Sequence, residues 1–168
     1  MRLFLALWPD AAVREQIAAH ATTWSLPAGR GRMSPDDWHV TLHYIGSVAA
    51  DRIPAVADAL EVRCEPFELV LDQPRMWPRG LAVVEAAAVP APLEALHAAL
   101  AESLRRLDMP VEQRRFRPHL TLARRAEGAV PPKDAAPVVW PAQGYGLVVS
   151  TGRPEQRYAV LRGYPSGE

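Results

Sequence analysis

The chain has 168 residues, 49% of them hydrophobic and 23% charged, which is enough for one compact domain with a substantial core. Nineteen basic and nineteen acidic side chains cancel, so no global field gathers a long nucleic acid, although a small or terminal anionic substrate fits that balance. The single cysteine, Cys64, excludes an internal disulfide and a multi-cysteine zinc site.

Arg2 to Trp8 alternates, with Leu3, Leu5 and Leu7 on one face and Phe4 and Ala6 on the other, as a strand does. Arg2 and LFLALW resemble the opening of a signal peptide, but Pro9 and Asp10 interrupt the stretch too early for a secretory core or a membrane span. A cytoplasmic location is therefore expected. Asp10 is a candidate N-cap for a helix to about Trp24, with Val13, Ile17 and Ala21 on one side. Leu26 to Pro35 is predicted as loop, and Trp38 to Ile45 as a strand stopped by Gly46. Asp51 opens a second helix through Ile53, Val56, Ala57 and Leu60, with Pro54 in its first turn. Phe67 to Leu71 and Leu81 to Ala86 are predicted strands joined through a turn at Pro74 to Pro78. Leu93, Leu96, Leu100, Leu104 and Leu107 form the stripe of a third helix, from Ala91 to Leu107, and a strand follows from Arg117 to Arg124. Glu127 to Pro141, rich in proline, is predicted as loop, and two strands near Tyr145–Ser150 and Arg157–Tyr164 close the chain.

A helix, a loop and a strand recur in that order in each half, and most neighbouring strands can pair as hairpins. With only three helices, this predicts a single α+β domain over residues 1–168, with antiparallel or mixed sheets rather than a doubly wound parallel sheet. No glycine-rich phosphate loop is present.

Two tetrads carry the chemistry: HVTL at His39 to Leu42 and HLTL at His119 to Leu122. With a strand's period of two, His39 and Thr41 share one face and Val40 and Leu42 the other, and the same holds for His119 and Thr121 against Leu120 and Leu122. One histidine on a strand is usually an ordinary, partly buried polar residue, and threonine is simply a good strand former. Two matched tetrads are harder to dismiss. Facing one cleft, they supply two imidazoles able to give or take a proton near neutral pH and two hydroxyl donors for phosphoryl oxygens, which is what metal-free phosphodiester cleavage requires. No HExxH helix, cysteine cluster or aspartate-rich signature offers a metal site, and no cofactor is expected.

HVTLHYIG and FRPHLTLAR resemble the paired HxTx motifs of the 2H phosphoesterase superfamily, and more closely its bacterial RNA 2′,3′-cyclic phosphodiesterase (2′-5′ RNA ligase) branch. RLFLALWPD, SPDDWHVTL, FRPHLTLAR and RYAVLRGYP stand in the expected order, so the resemblance covers nearly the whole chain, with Ala82 to Ala101 matching only in general pattern. It implies a bilobal α+β fold, two antiparallel or mixed sheets with helices packed outside, a pseudo-twofold central cleft holding one motif from each lobe, and no metal. It also implies hydrolysis of 2′,3′-cyclic phosphodiesters at RNA or nucleotide ends, with His39 and His119 catalytic and Thr41 and Thr121 on the phosphoryl oxygens. His119 would be the proton acceptor and His39 the donor, and the product a 2′-phosphomonoester. The tetrads themselves are too symmetrical to assign those two roles. Joining ends through a 2′-5′ linkage is the reverse reaction. Alternatives are a phosphodiesterase for another cyclic or 2′-5′ linked nucleotide, and a non-catalytic RNA-end binder. RNA 3′ ends or small cyclic nucleotides are the expected partners, and a monomer is expected.

Four further residues are candidates for substrate contact. Position 43 often carries a longer basic residue in such proteins; here it is His43, which by alternation lines the cleft mouth or is a solvated strand-end residue. Arg124 is a candidate for a phosphate or sugar contact, but strict alternation from His119 puts it on the wrong face unless a bulge or strand end redirects it. Phe116, set among Arg114, Arg115, Arg117, Arg124 and Arg125, is placed to stack on a base. Phe4 is another base platform or part of a second packed layer. His20 and His97 lie in predicted helices away from the tetrads and are assigned no role.

Overall fold

The alternating first segment forms β1 (Arg2–Leu7), whose leucines enter the main core while Phe4 and Ala6 pack on the opposite face. The computed structural model describes every residue except Arg30 and Glu168, so the predicted loop from Leu26 to Pro35 is described only in part. The Asp10 carboxylate caps α1 (Ala11–Ala21), accepting the Val13 N–H at 2.9 Å. β2 (Val40–Ser47) follows, and a 3-10 turn at Ala50–Arg52 leads into α2 (Ile53–Ala59) with Pro54 in its first turn. Then come β3 (Phe67–Leu71), β4 (Gln73–Trp77), β5 (Leu81–Glu85) and α3 (Ala91–Arg106). The chain closes with β6 (His119–Ala123), β7 (Val138–Ala142), β8 (Gly144–Arg153) and β9 (Gln156–Pro165). Among the described residues, no helix is long and apolar enough to cross a membrane.

Seven strands form one sheet in the order β4-β5-β6-β2-β1-β8-β9, and β3 pairs with β7 in a second. Among the described residues every strand pairing is antiparallel, so the α+β expectation holds and the mixed-sheet alternative drops out. Leu93, Leu96, Leu100 and Leu104 of α3 are at most 1% exposed. Each contributes about 1.5–3 kcal/mol by burial, and together they seat α3 against β2.

Parts of two proline-rich segments predicted as turn and loop are strands, while residues 127–137 are irregular as expected. Pro74 lies in β4 and Pro141 in β7. β4 is the outer strand of the large sheet and β7 has one partner, so each proline can sit where no second ladder bond is formed. The turn falls later, at Arg79 and Gly80, both with positive φ. α1 ends at Ala21 instead of reaching Trp24, because Thr22 and Thr23 turn the chain back onto α1 carbonyls.

The middle of the large sheet sets up the site. β2 and β6 are joined by one residue pair, Val40 with Leu120. The sheet is thus two half-sheets, β4-β5-β6 and β2-β1-β8-β9, that meet where the two tetrads lie.

Candidate active site

In an antiparallel pair, moving one residue either way from Val40–Leu120 sets His39 opposite Thr121 and Thr41 opposite His119. Val40 and Leu120 are fully buried, so their neighbours emerge together on the other face. Each imidazole therefore stands across from the other tetrad's hydroxyl, about the separation of cross-strand neighbours, roughly 5 Å.

Both rings are held in the same way. His39 Nδ1 lies 2.6 Å from the Asp37 carbonyl and His119 Nδ1 lies 2.8 Å from the Arg117 carbonyl. A carbonyl only accepts, so each Nδ1 carries its proton and each Nε2 is left for the cleft.

Their surroundings differ. Phe4, Trp8 and Tyr158 surround His39 with ring centroids at 5.1, 5.4 and 5.1 Å, the Trp8 ring lying parallel to the imidazole. Burial in that cage lowers the His39 pKa to about 4; the Asp37 carbonyl offsets part of this, and the charges of Arg124 and His119 add to it. His119 has the Trp77 ring at 4.2 Å and, cross-strand on β5, the carboxylate of Glu85. Burial lowers its pKa also, while the Arg117 carbonyl and Glu85 pull it back up.

Each motif strand carries a bulge at the same place. Against β1, Ala6 pairs with Thr41 and Leu5 with His43, skipping Leu42. Against β5, Val83 pairs with Thr121 and Ala82 with Ala123, skipping Leu122. An extra residue reverses the facing of everything after it. Tyr44 and Arg124 are thereby brought to the cleft, and both line the cavity. The Arg124 backbone is fixed by its N–H to the Gly31 carbonyl at 2.7 Å. Gly31 has φ 113°, and a Cβ there would lie 2.0 Å from the Arg124 carbonyl oxygen, so only glycine permits the approach.

The same bulge corrects the placement of His43. It does not share a face with Thr41 at the cleft mouth, nor is it solvated: it is 2% exposed, turned with Leu5 toward α3, and its Nε2–H donates to the His97 carbonyl at 2.9 Å. His97 is not remote either, since its ring stacks between His43 and Phe116 at 3.9 and 4.0 Å. Phe4, at 2% exposure beneath His39, is closed to a base and belongs to the packed layer.

Beyond Val40–Leu120 the two strands part. The far half of β2 and residues 110–117 bound a wedge, and a cavity of about 1010 Å³ fills it together with the tetrad floor. His39, Thr41, His119 and Thr121 line the floor, with Trp77, Phe116 and Arg124 on the walls and His43 and His97 at the back. Arg124 acts electrostatically on His39, His119 and Tyr158 alike, which puts a cation beside the point where the tetrads converge. Among the described residues, no three His, Cys, Asp or Glu side chains converge as a metal site would require.

Trp8, Trp77, Glu85 and Tyr158 were not singled out from the sequence. Trp8 continues the Phe4–Ala6 face of β1, and Glu85 is a lone charge in the apolar run LAVVEAA, so both left a signal. Trp77 and Tyr158 reach the histidines only through strand pairing.

A two-halved α+β sheet that presents a His-x-Thr pair from each half across one cavity defines the class of protein. The family model described as the 2′-5′ RNA ligase superfamily matches residues 9–145, and the chain belongs to that superfamily. It is 33% identical over 131 residues to an RNA 2′,3′-cyclic phosphodiesterase of Escherichia coli (strain K12), covering 77% of this chain and 74% of the relative. It is 30% identical over 178 aligned positions to an RNA 2′,3′-cyclic phosphodiesterase of Thermus thermophilus, covering 96% and 88%. The crystal structure of E. coli LigT complexed with 3′-AMP superposes with a TM-score of 0.86 at 28% identity, covering 99% of this chain and 98% of that one.

Proposed function

We propose that the protein hydrolyses the 2′,3′-cyclic phosphodiester at an RNA or nucleotide end to a 2′-phosphomonoester, using two histidines and no metal ion. The observation that carries this reading is the Val40–Leu120 register, which sets two imidazoles with free Nε2 atoms across one cavity floor. The activity of the two named relatives supports it.

Neutral His119 takes a proton from water through Nε2 as the water oxygen bonds to phosphorus. The bond from phosphorus to the ribose 3′ oxygen breaks, and protonated His39 gives its Nε2 proton to that oxygen. The two rings end with exchanged protonation and are reset through solvent. Thr41 and Thr121 hydroxyls donate to the non-bridging oxygens, and Arg124 offsets the charge that grows there. The aromatic cage suits His39 to the donor role: an imidazolium that its surroundings resist is a strong acid, and an anionic phosphodiester alongside restores its proton. Water at high concentration favours hydrolysis over 2′-5′ joining of ends.

The test is incubation with 2′,3′-cyclic CMP in excess EDTA, followed by phosphorus NMR. The expected product is 2′-CMP. Unchanged substrate would leave a non-catalytic binder, activity restored only by a divalent ion would refute the metal-free step, and 3′-CMP would show that the other ribose oxygen leaves.

A further inference from the structure

Glu85 has no part in the mechanism above, yet it is 6% exposed inside an apolar strand. It pairs cross-strand with His119. The equivalent position in the other half is Trp8, one residue beyond the Leu7–Val40 pair and so opposite His39. The two halves match at the histidines, the threonines and the bulges, and they differ here: a carboxylate stands beside one imidazole and an indole beside the other.

We infer that Glu85 is a positioning residue that equips His119 as the proton acceptor, while Trp8 at the matching position withholds the same support from His39. The inference rests on the acid–base reading above. A carboxylate beside an imidazole stabilises the imidazolium that forms as it takes a proton, and an acceptor needs that help where a donor does not. Glu85 also orients the ring. Its carboxylate holds the Arg117 guanidinium, with one oxygen at 3.0 Å and the other closer. The carbonyl of Arg117 accepts the His119 Nδ1–H, and its guanidinium lies 4.8 Å over the Trp77 ring that packs on His119. Arg75 of β4 approaches the same carboxylate at 3.6 Å. The charged and titratable groups facing His119 are thus Glu85 from β5, Arg75 from β4, Arg117 just before the strand, Arg124 at its end and His39 across the cleft. Glu85 is the negative one among them, and its pull on the His119 proton is larger than the push of either Arg117 or Arg124 taken singly.

The experiment is an NMR titration of the His119 ring in the substrate-free protein and in Glu85→Gln. The midpoint should fall by about half a pH unit or more, with His39 unmoved, and Glu85→Asp should recover most of the shift. In Arg117→Gln, which keeps the carboxylate and guards against a Glu85→Gln chain that does not fold, the midpoint should rise. An unmoved His119 in folded Glu85→Gln or Arg117→Gln would overturn the inference and leave Glu85 as a staple between strands. A kinetic arm uses His39→Ala, whose residual activity should fall only at low pH; adding Glu85→Gln should move that limb down by the same amount. A remaining limb that falls at high pH would overturn the acceptor assignment. Absence of any cyclic phosphodiesterase activity would refute the proposed function alone, because the NMR midpoint is read without substrate.

Discussion

The aromatic cage around His39 has a cost in stability that can be measured apart from catalysis. The folded-state pKa of about 4 lies well below the ordinary 6.5. The unfolded chain therefore binds a proton at His39 that the folded chain refuses. Native stability from this group is complete above pH 6.5 and is lost as pH falls toward 4, at 1.36 kcal/mol per unit, for a total of about 3 kcal/mol and about 2 kcal/mol by pH 5. His39→Asn keeps a side-chain N–H for the Asp37 carbonyl but cannot titrate. Urea unfolding of both proteins at pH 8 and pH 5 cancels the titrations they share. The natural chain should lose about 2 kcal/mol more than the variant between those two values. Parallel losses would refute the claim that Phe4, Trp8 and Tyr158 hold the imidazole neutral, and with it the reason given for His39 as a strong acid.

Other consequences follow from particular contacts. Gly31→Ala should shift the Arg124 backbone and lower kcat/KM for 2′,3′-cyclic CMP several-fold, mainly through kcat; an unaltered kcat/KM would separate Arg124 from the reacting phosphate. Thr41→Val and Thr121→Val should each lower kcat by roughly 10²–10³, the usual range for losing one donor to a charged transition state, and full activity in either would remove that hydroxyl from the mechanism. His43→Ala should lower stability by about 1–3 kcal/mol in denaturant titration through the lost bond to the His97 carbonyl, while kcat in the folded variant changes less than tenfold; a hundredfold loss would give His43 a part in the chemistry.

The motif strands were legible because a period of two is visible in four residues, and the tetrads stood out because each breaks an apolar pattern in the same way. The bulges were not legible. Leucine at 42 and 122 suits either face of a strand, so nothing local marks the point where alternation reverses. Alternation alone consequently put His43 on the face of His39 and Thr41, whereas the structure turns it toward α3 and buries it at the back of the cavity, and it required for Arg124 a redirection that the Leu122 bulge supplies. The prolines of β4 and β7 misled for a related reason: they bar a central strand, and being outermost or having one partner depends on tertiary arrangement. Glu85 and Trp8 acquire meaning only once register sets them against His119 and His39.

The central claim is that one imidazole takes a proton while the other gives one. It is tested most directly by the pH dependence of turnover in the natural protein and in His39→Ala and His119→Ala. The natural profile should be a bell whose apparent pKa values belong to the coupled pair. Each variant should lose roughly 10²–10⁴-fold in turnover. His119→Ala should lose the acid limb and keep the basic one, and His39→Ala should do the reverse. The opposite pattern would exchange the two roles. A bell that persists in either variant would contradict paired imidazole catalysis in this protein.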